Sequence, residues 1–292
     1  MRCRTVAPGN QGISFARETP FIGNFRRSDT RRPRRRVIFQ AIAHSTASIR
    51  STMTVDARKA TTTDQQAILD IVLAATASES QWQYCFPQRT QHYDEHKSRT
   101  AAALDRCLTS PDDWLVAVSE VTQPVVPKTK TIVAVGIWHI PDSGAKVSED
   151  EYCGNPWKQL VGGGYEARKD GHPGRLAAFV EGAALGREKH LNGHGPQIHL
   201  HLLATHPHHQ GNGYAKSLCE WGLDWATNSK RVVSTLASTK GYVFFSGLGF
   251  RDVGCVVIKA PDEGDELMLK AMVMAGKERG GASILSFFGL SG

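Results

Sequence analysis

The chain has 292 residues, of which 40% are hydrophobic, 22% charged and 8% aromatic, an ordinary globular composition with ample length for a core. Its net charge of +7 is unevenly placed: residues 1–52 hold eleven Arg, no Lys and two acids, Glu18 and Asp29, so the other 240 residues carry −2. The near-neutral body argues against a nucleic-acid-binding domain, and no stretch reaches the ~18 apolar residues of a membrane span, so a soluble protein is expected.

Residues 1–52 are densest in "RRSDTRRPRRRVIF" and show little periodicity. Three readings stand: an organelle-import presequence, a disordered extension upstream of a start at Met53, or a nuclear or nucleic-acid-binding patch. The first gives a mitochondrial location and the second a cytoplasmic one. The folded domain is expected over 53–277, with 278–292 as a C-terminal tail. The six cysteines form no C-x-x-C pair, which excludes a zinc ribbon or redox dithiol and suits a reducing compartment.

Along the chain, "DQQAILDIVLAATA" (64–77) sets Ile68, Ile71, Val72 and Ala75 at helical intervals behind cap signals at 62–64. "SQWQYCFPQ" (81–89) reads as an aromatic connection, and 93–108 as a second helix. Residues 113–121 and 131–140 form an expected antiparallel pair of strands. Residues 141–174, rich in Gly, Asp and Lys, read as a long surface excursion. A helix at 174–191, a strand at 196–207 and a helix at 213–229 follow, the last with Leu218, Trp221 and Trp225 on one face. A strand at 231–238, a short helix at 239–248 and two final strands complete the order. The expected class is α/β (α+β): a mixed central sheet flanked by helices, in one domain.

The stretch "ATHPHHQGNGYAKSL" (204–218) joins a strand to a helix through a Gly-containing turn. Free amides at a helix start can hold an anion, and small residues let phosphates approach the backbone. An ordinary tight turn would look the same. The stretch completes neither the G-x-G-x-x-G fingerprint nor a G-x-x-x-x-G-K-[ST] loop. It does fit Q-x-x-G-x-A through Gln210, Gly213 and Ala215. Further on, Ser238, Gly241, Phe244 and Phe245 precede "SGLGF" (246–250).

These two ordered motifs resemble those of the GCN5-related N-acetyltransferase (GNAT) superfamily, over about 220 residues. The resemblance implies acetyl-CoA as co-substrate. Backbone groups of Leu203, Ala204 and Thr205 would pair with the pantetheine arm. Gly211, Asn212, Gly213, Tyr214 and Ala215 would hold the pyrophosphate with Gln210, and Ser238 would border the cofactor. One departure stands out: the family's frequent tyrosine, which protonates the leaving thiolate, would fall at Phe245, and phenylalanine donates no proton. Tyr242, one helical turn earlier, is a replacement candidate or a packing residue; alternatively the thiolate leaves unaided.

The strand "IHLHLLATH" alternates, so His199 and His201 should share one face, with Ile198, Leu200 and Leu202 on the other. The pair could be metal ligands, polar surface residues or a proton relay. The segment is similar to the corresponding strand of arylalkylamine N-acetyltransferases, which implies that the pair removes the amine's proton. No metal is expected. His206, His208 and His209 would border the phosphates or be solvated.

Trp82, Tyr84 and Phe86 could line an apolar acceptor pocket or plug the core. The expected activity is transfer of an acyl group from acetyl-CoA to a small primary amine by direct attack, with no evident Cys–His nucleophile pair beyond the untested Cys219. The alternative is a CoA-binding protein with little or no turnover. The expected partner is a small-molecule amine, with no nucleic acid and no membrane, in a monomer or homodimer.

Overall fold

The computed structural model describes residues 56–122, 129–140, 167–261 and 263–275. These lie within one compact unit, Arg50–Gly292. The N-terminal extension, Met53, residues 141–166 of the excursion and the C-terminal tail lie outside the described residues.

Among the described residues, seven strands form one sheet in the order β1-β2-β3-β4-β5-β7-β6. They are β1 (Asp56–Lys59), β2 (Trp114–Thr122), β3 (Lys130–His139), β4 (Gln197–Thr205), β5 (Val232–Ala237), β6 (Arg251–Lys259) and β7 (Glu266–Ala275). Among the described strands, only β4 and β5 run parallel; every other neighbouring pair is antiparallel. Among the described residues the α-helices are α1 (Gln65–Thr76), α2 (Ser80–Cys85), α3 (Tyr93–Thr109), α4 (Pro173–His190), α5 (Tyr214–Asn228) and α6 (Thr239–Leu248).

The short first strand is fixed by charge. Arg58 bridges Asp64 Oδ2 at 2.8 Å and Glu120 on β2, while Asp64 also accepts from Thr61 N at 2.8 Å in a capping box before α1. The Arg58 hydrogen bonds outweigh the cost of burial and hold the Asp64 carboxyl at about 2.

Two cores flank the sheet. On one face, Ile68, Leu69 and Val72 of α1 meet Val116, Val118 and Ile137, joined by Leu104 of α3 and Phe179 of α4. On the other face, Leu218, Cys219 and Ala226 of α5 and Phe245 of α6 pack on Trp138, Ile198 and Val233. The buried stripe of α5 includes Gly222, and Trp221 and Trp225, expected on one face with Leu218, are partly buried against the same core. Gly222 is required by close approach: a Cβ there would stand 2.6 Å from Trp138 Cζ2.

Two segments differ from their sequence patterns. The aromatic connection contains helix α2, which forms because Trp82 and Cys85, with Phe86 just beyond, are all buried. The end of the excursion is interior: Arg168 and Asp170 are buried and paired with each other. A Gly-, Asp- and Lys-rich composition hides such a pair because each charge looks solvated when read alone.

Candidate active site

The site begins where β4 and β5 part. Antiparallel pairing of β4 with β3 runs from His199–His139 to Thr205–Ala134. Parallel pairing with β5 stops at Leu200–Thr235, after which β5 continues with β7 to Ala237. The sheet therefore forks, and Thr235 Oγ1 donates to Leu200 O at 3.0 Å at the branch point. Beyond it, the β5-side edge of β4 presents backbone groups to a gap rather than to a partner strand.

A bulge coincides with the fork. Trp138 pairs with Leu200 and Ile137 with Leu202, so His201 has no partner residue on β3. Strict alternation placed Leu202 with Ile198 and Leu200. Instead Leu202 and Ala204 pack on the α1 side, whereas Ile198, Leu200 and Leu203 pack on the α5 side. The extra residue shifts the alternation by one, and His201 and Leu202 fall on the same face. His199 and His201 do share a face, with ring centroids 4.6 Å apart.

A cavity of ≈ 500 Å³ fills the fork. It is of ligand size. One wall is β4 from Leu200 to Thr205; facing it are Thr235–Ser238 and the start of α6. At one end stands the loop with Gln210, Gly211, Gly213, Tyr214 and Ala215, and at the other Ser78, Glu79 and Trp82.

The loop is held by its own polar groups. His206 N donates to Val133 O at 2.9 Å, Gln210 Nε2 to Thr205 O at 3.2 Å, and Asn212 Nδ2 to His209 O at 3.0 Å. Gln210 and Asn212 thus shape the turn, and Asn212 does not line the cavity. Gly211 and Gly213 have φ of +79° and +86°, a left-handed backbone that other residues enter at a cost of about 1–2 kcal/mol. Gly213 is the N-cap of α5 and supplies no side-chain cap. The first amides of α5, from Tyr214 onward, have no intrahelical acceptor and carry the positive end of the helix dipole. Among the described residues, the buried Thr205 hydroxyl also lacks a partner. The loop, the open helix start and the unpaired strand edge fit a phosphate-bearing thioester cofactor.

Three imidazoles, one from β3 and two from β4, gather beside the cavity. His139, His199 and His201 cluster with Trp114, whose ring centroid is 4.7 Å from His139 and 5.4 Å from His201. His201 lines the main cavity, and a second chamber of ≈ 20 Å³ joins His201 to His199, Arg187 and Gln81. That volume holds about one water. Burial, then the positive charge of Arg187, pushes His199 well below its ordinary value; burial, then His199, does the same for His201. Burial and Arg187 lower His139 to about 4. Both His201 ring nitrogens are buried without a partner among the described residues. Among those residues no group of three His, Cys, Asp or Glu could hold a metal ion.

The remaining expected site residues divide. Ser238 lines the cavity but works as the N-cap of α6, accepting from Gly241 N at 3.3 Å. Phe245 lines the cavity, and Tyr242 does not. The Tyr242 ring lies under Lys270 Nζ at 5.6 Å, because one helical turn is not a full repeat and rotates it onto the β7 side. Of the three aromatics, only Trp82 reaches the cavity. Tyr84 Oη accepts from Ala260 N at 3.0 Å, and Phe86 is 1% exposed beneath the Arg168 guanidinium. Cys219 is buried in the core with its thiol pushed up to about 12, which removes it as a nucleophile.

Glu79, at the N-cap of α2, has no sequence signal, yet it lines the cavity. It accepts from Ser238 Oγ at 3.4 Å and pairs with Lys240 Nζ at 3.2 Å, tying the start of α2 to α6.

Residues 126–250 match the model of the acetyltransferase (GNAT) family. Over these residues the chain carries a GNAT acetyltransferase domain. It is an acyltransferase, and the forked sheet with its glycine loop is the part of the GNAT domain just described. No curated protein matches the chain. Among solved structures, it is similar to a histone acetyltransferase HPA2 and related acetyltransferase from Corynebacterium glutamicum, with 18% identity, 77% of this chain and 98% of that one covered, and a TM-score of 0.49. It is similar to a mosquito arylalkylamine N-acetyltransferase-like protein at 15% identity, covering 76% and 99%, with a TM-score of 0.48. A Drosophila melanogaster polyamine N-acetyltransferase is 13% identical over 76% and 99%, with a TM-score of 0.48. No helix among the described residues is long and apolar enough to cross a membrane.

Proposed function

We propose that this enzyme transfers the acetyl group of acetyl-CoA to a small primary amine by direct attack within the forked cavity. The observation that carries the reading is the cavity itself. It joins an uncapped helix start, an unpaired strand edge and an unpartnered imidazole along one continuous space.

The amides from Gly211 to Ala215 hold the pyrophosphate, with Gln210 bracing the turn. The edge of β4 at Leu203, Ala204 and Thr205 pairs with the pantetheine amides and polarises the thioester carbonyl. The amine enters from the Glu79 and Trp82 end, where the carboxylate attracts its ammonium form. His201, neutral because burial disfavours its charged state, accepts the amine's proton, and the one-water chamber passes it toward His199. The amine nitrogen then bonds to the carbonyl carbon, the C–S electron pair leaves with the sulfur, and the second proton shed by the nitrogen passes to solvent. No residue at 242 or 245 supplies an acid, so the thiolate departs unaided.

The test is product analysis. The full chain is incubated with acetyl-CoA and a panel of arylalkyl, alkyl and polyamine acceptors, and N-acetylated products are sought by mass spectrometry. Phe245 favours the second reading, a CoA-binding protein with little turnover. CoA binding without any acetylated product would establish that reading instead.

A further inference from the structure

Trp82 is 2% exposed, so its indole N–H needs a protein partner, and it finds one in His96 Nε2 at 3.3 Å. An indole only donates, so His96 Nε2 must be unprotonated and the ring proton sits on Nδ1. Nδ1 lies 2.8 Å from Asp170 Oδ2. Asp170 accepts from Arg168 Nε at 2.9 Å and from Nη2, and the guanidinium rests 4.7 Å above the Phe86 ring. His96 meets the same ring edge-on at 5.1 Å. Trp82 is on α2, His96 on α3, and Arg168 and Asp170 precede α4. Two further segments, α3 directly and the approach to α4 through His96, therefore support one indole of α2, and that indole lines the cavity.

Burial alone would raise the Asp170 carboxyl, but the bonds from His96 and Arg168 reverse this and hold it below the ordinary carboxylate range. A buried ion pair is a costly way to fill a core that hydrophobic side chains could fill, and its best-attested use is to specify one geometry. We infer that Arg168, Asp170 and His96 are positioning residues that lock the Trp82 indole as a rigid wall at the acceptor end. With the Glu79 carboxylate beside it, this wall selects amines that carry an aromatic group over linear alkylamines of equal charge. The inference rests on the proposed amine acetylation.

The test compares phenethylamine with hexylamine as acceptors for the full-length enzyme. Trp82→Leu is expected to raise the KM of phenethylamine about tenfold or more and that of hexylamine by less than about threefold, with the acetyl-CoA KM within about twofold. His96→Phe, which keeps the ring and removes both hydrogen bonds, shifts the phenethylamine KM in the same direction. Adding it to Trp82→Phe produces no further loss, because both changes break the same chain. His96→Gln, which can accept from the indole and donate to Asp170, restores the wild-type ratio. If His96→Phe fails to fold, Trp82→Phe and His96→Gln carry the comparison. Equal KM changes for the two amines, a parallel rise in the acetyl-CoA KM, or additive double-variant losses overturn the inference. If the wild-type enzyme acetylates neither amine, the proposed function fails first. The lock on the indole is then read by hydrogen exchange of the Trp82 N–H, assigned through Trp82→Phe: strong protection in the wild type that is lost in His96→Phe and kept in His96→Gln supports it, and rapid exchange in the wild type overturns it.

Discussion

His199 Nδ1 lies 2.9 Å from Ser234 Oγ across the last parallel rungs of β4 and β5, and Ser234 Oγ in turn lies 3.4 Å from Ile198 O. The hydroxyl can donate to that carbonyl and accept from the imidazole, which places the His199 proton on Nδ1. Nε2 is then the nitrogen left to receive a proton. One serine on the neighbouring strand thus sets the tautomer of a histidine beside the reaction cavity, at the point where the two strands part.

Burial of the three imidazoles has a consequence for stability. Their folded values are lowered, His139 to about 4, while the unfolded chain titrates near 6.5. Between these limits the unfolded state binds more protons, so stability rises with pH. The contribution is fully present above about 6.5 and is lost as pH falls through that window. Urea midpoints measured from pH 7.5 to 5 should decline, and His199→Phe should flatten the decline. A pH-independent midpoint would contradict it.

Tyr242→Phe should leave kcat within about twofold and leave the alkaline limb of its pH profile in place, because the Tyr242 hydroxyl does not border the cavity. A loss of about 100-fold would restore Tyr242 as the acid and require α6 to turn during catalysis.

Gly213→Val should raise the acetyl-CoA KM by about tenfold, because a φ of +86° costs a β-branched residue more than about 1 kcal/mol and displaces the amides at the start of α5. The acceptor KM should hardly move. Equilibrium binding of CoA checks this directly, and unchanged affinity would detach the loop from the cofactor.

Gly222→Ala should destabilise the fold by about 1–3 kcal/mol, the usual cost of overpacking, because its Cβ would collide with the Trp138 indole. Chemical denaturation gives the value. A neutral substitution would mean that α5 moves outward without cost.

The sequence carried the regular elements well, because Ile68, Ile71 and Val72 or the β2 and β3 runs repeat with the period of the structure they form. The loop was legible for a related reason: Gly211 and Gly213 occupy backbone conformations that few other residues tolerate. What escaped depended on contacts between distant segments. The bulge at His201 arises from pairing with β3 and leaves no mark on the local alternation of β4. Asp170 looks like any surface acid until Arg168 and His96 close around it. Glu79 is one unremarkable residue between two helices, and Tyr84 and Phe86 cannot be told from Trp82 by composition. Only the packing of α2 decides which of the three aromatics reaches the cavity.

The most direct measurement is steady-state CoA release by the wild type and the His199→Gln/His201→Gln double variant, at saturating acetyl-CoA with an arylalkylamine. Turnover should fall about 100-fold from the wild type to the double variant, with the remaining activity shifted to higher pH and CoA affinity unchanged. Equal rates and pH profiles in the two proteins would contradict it.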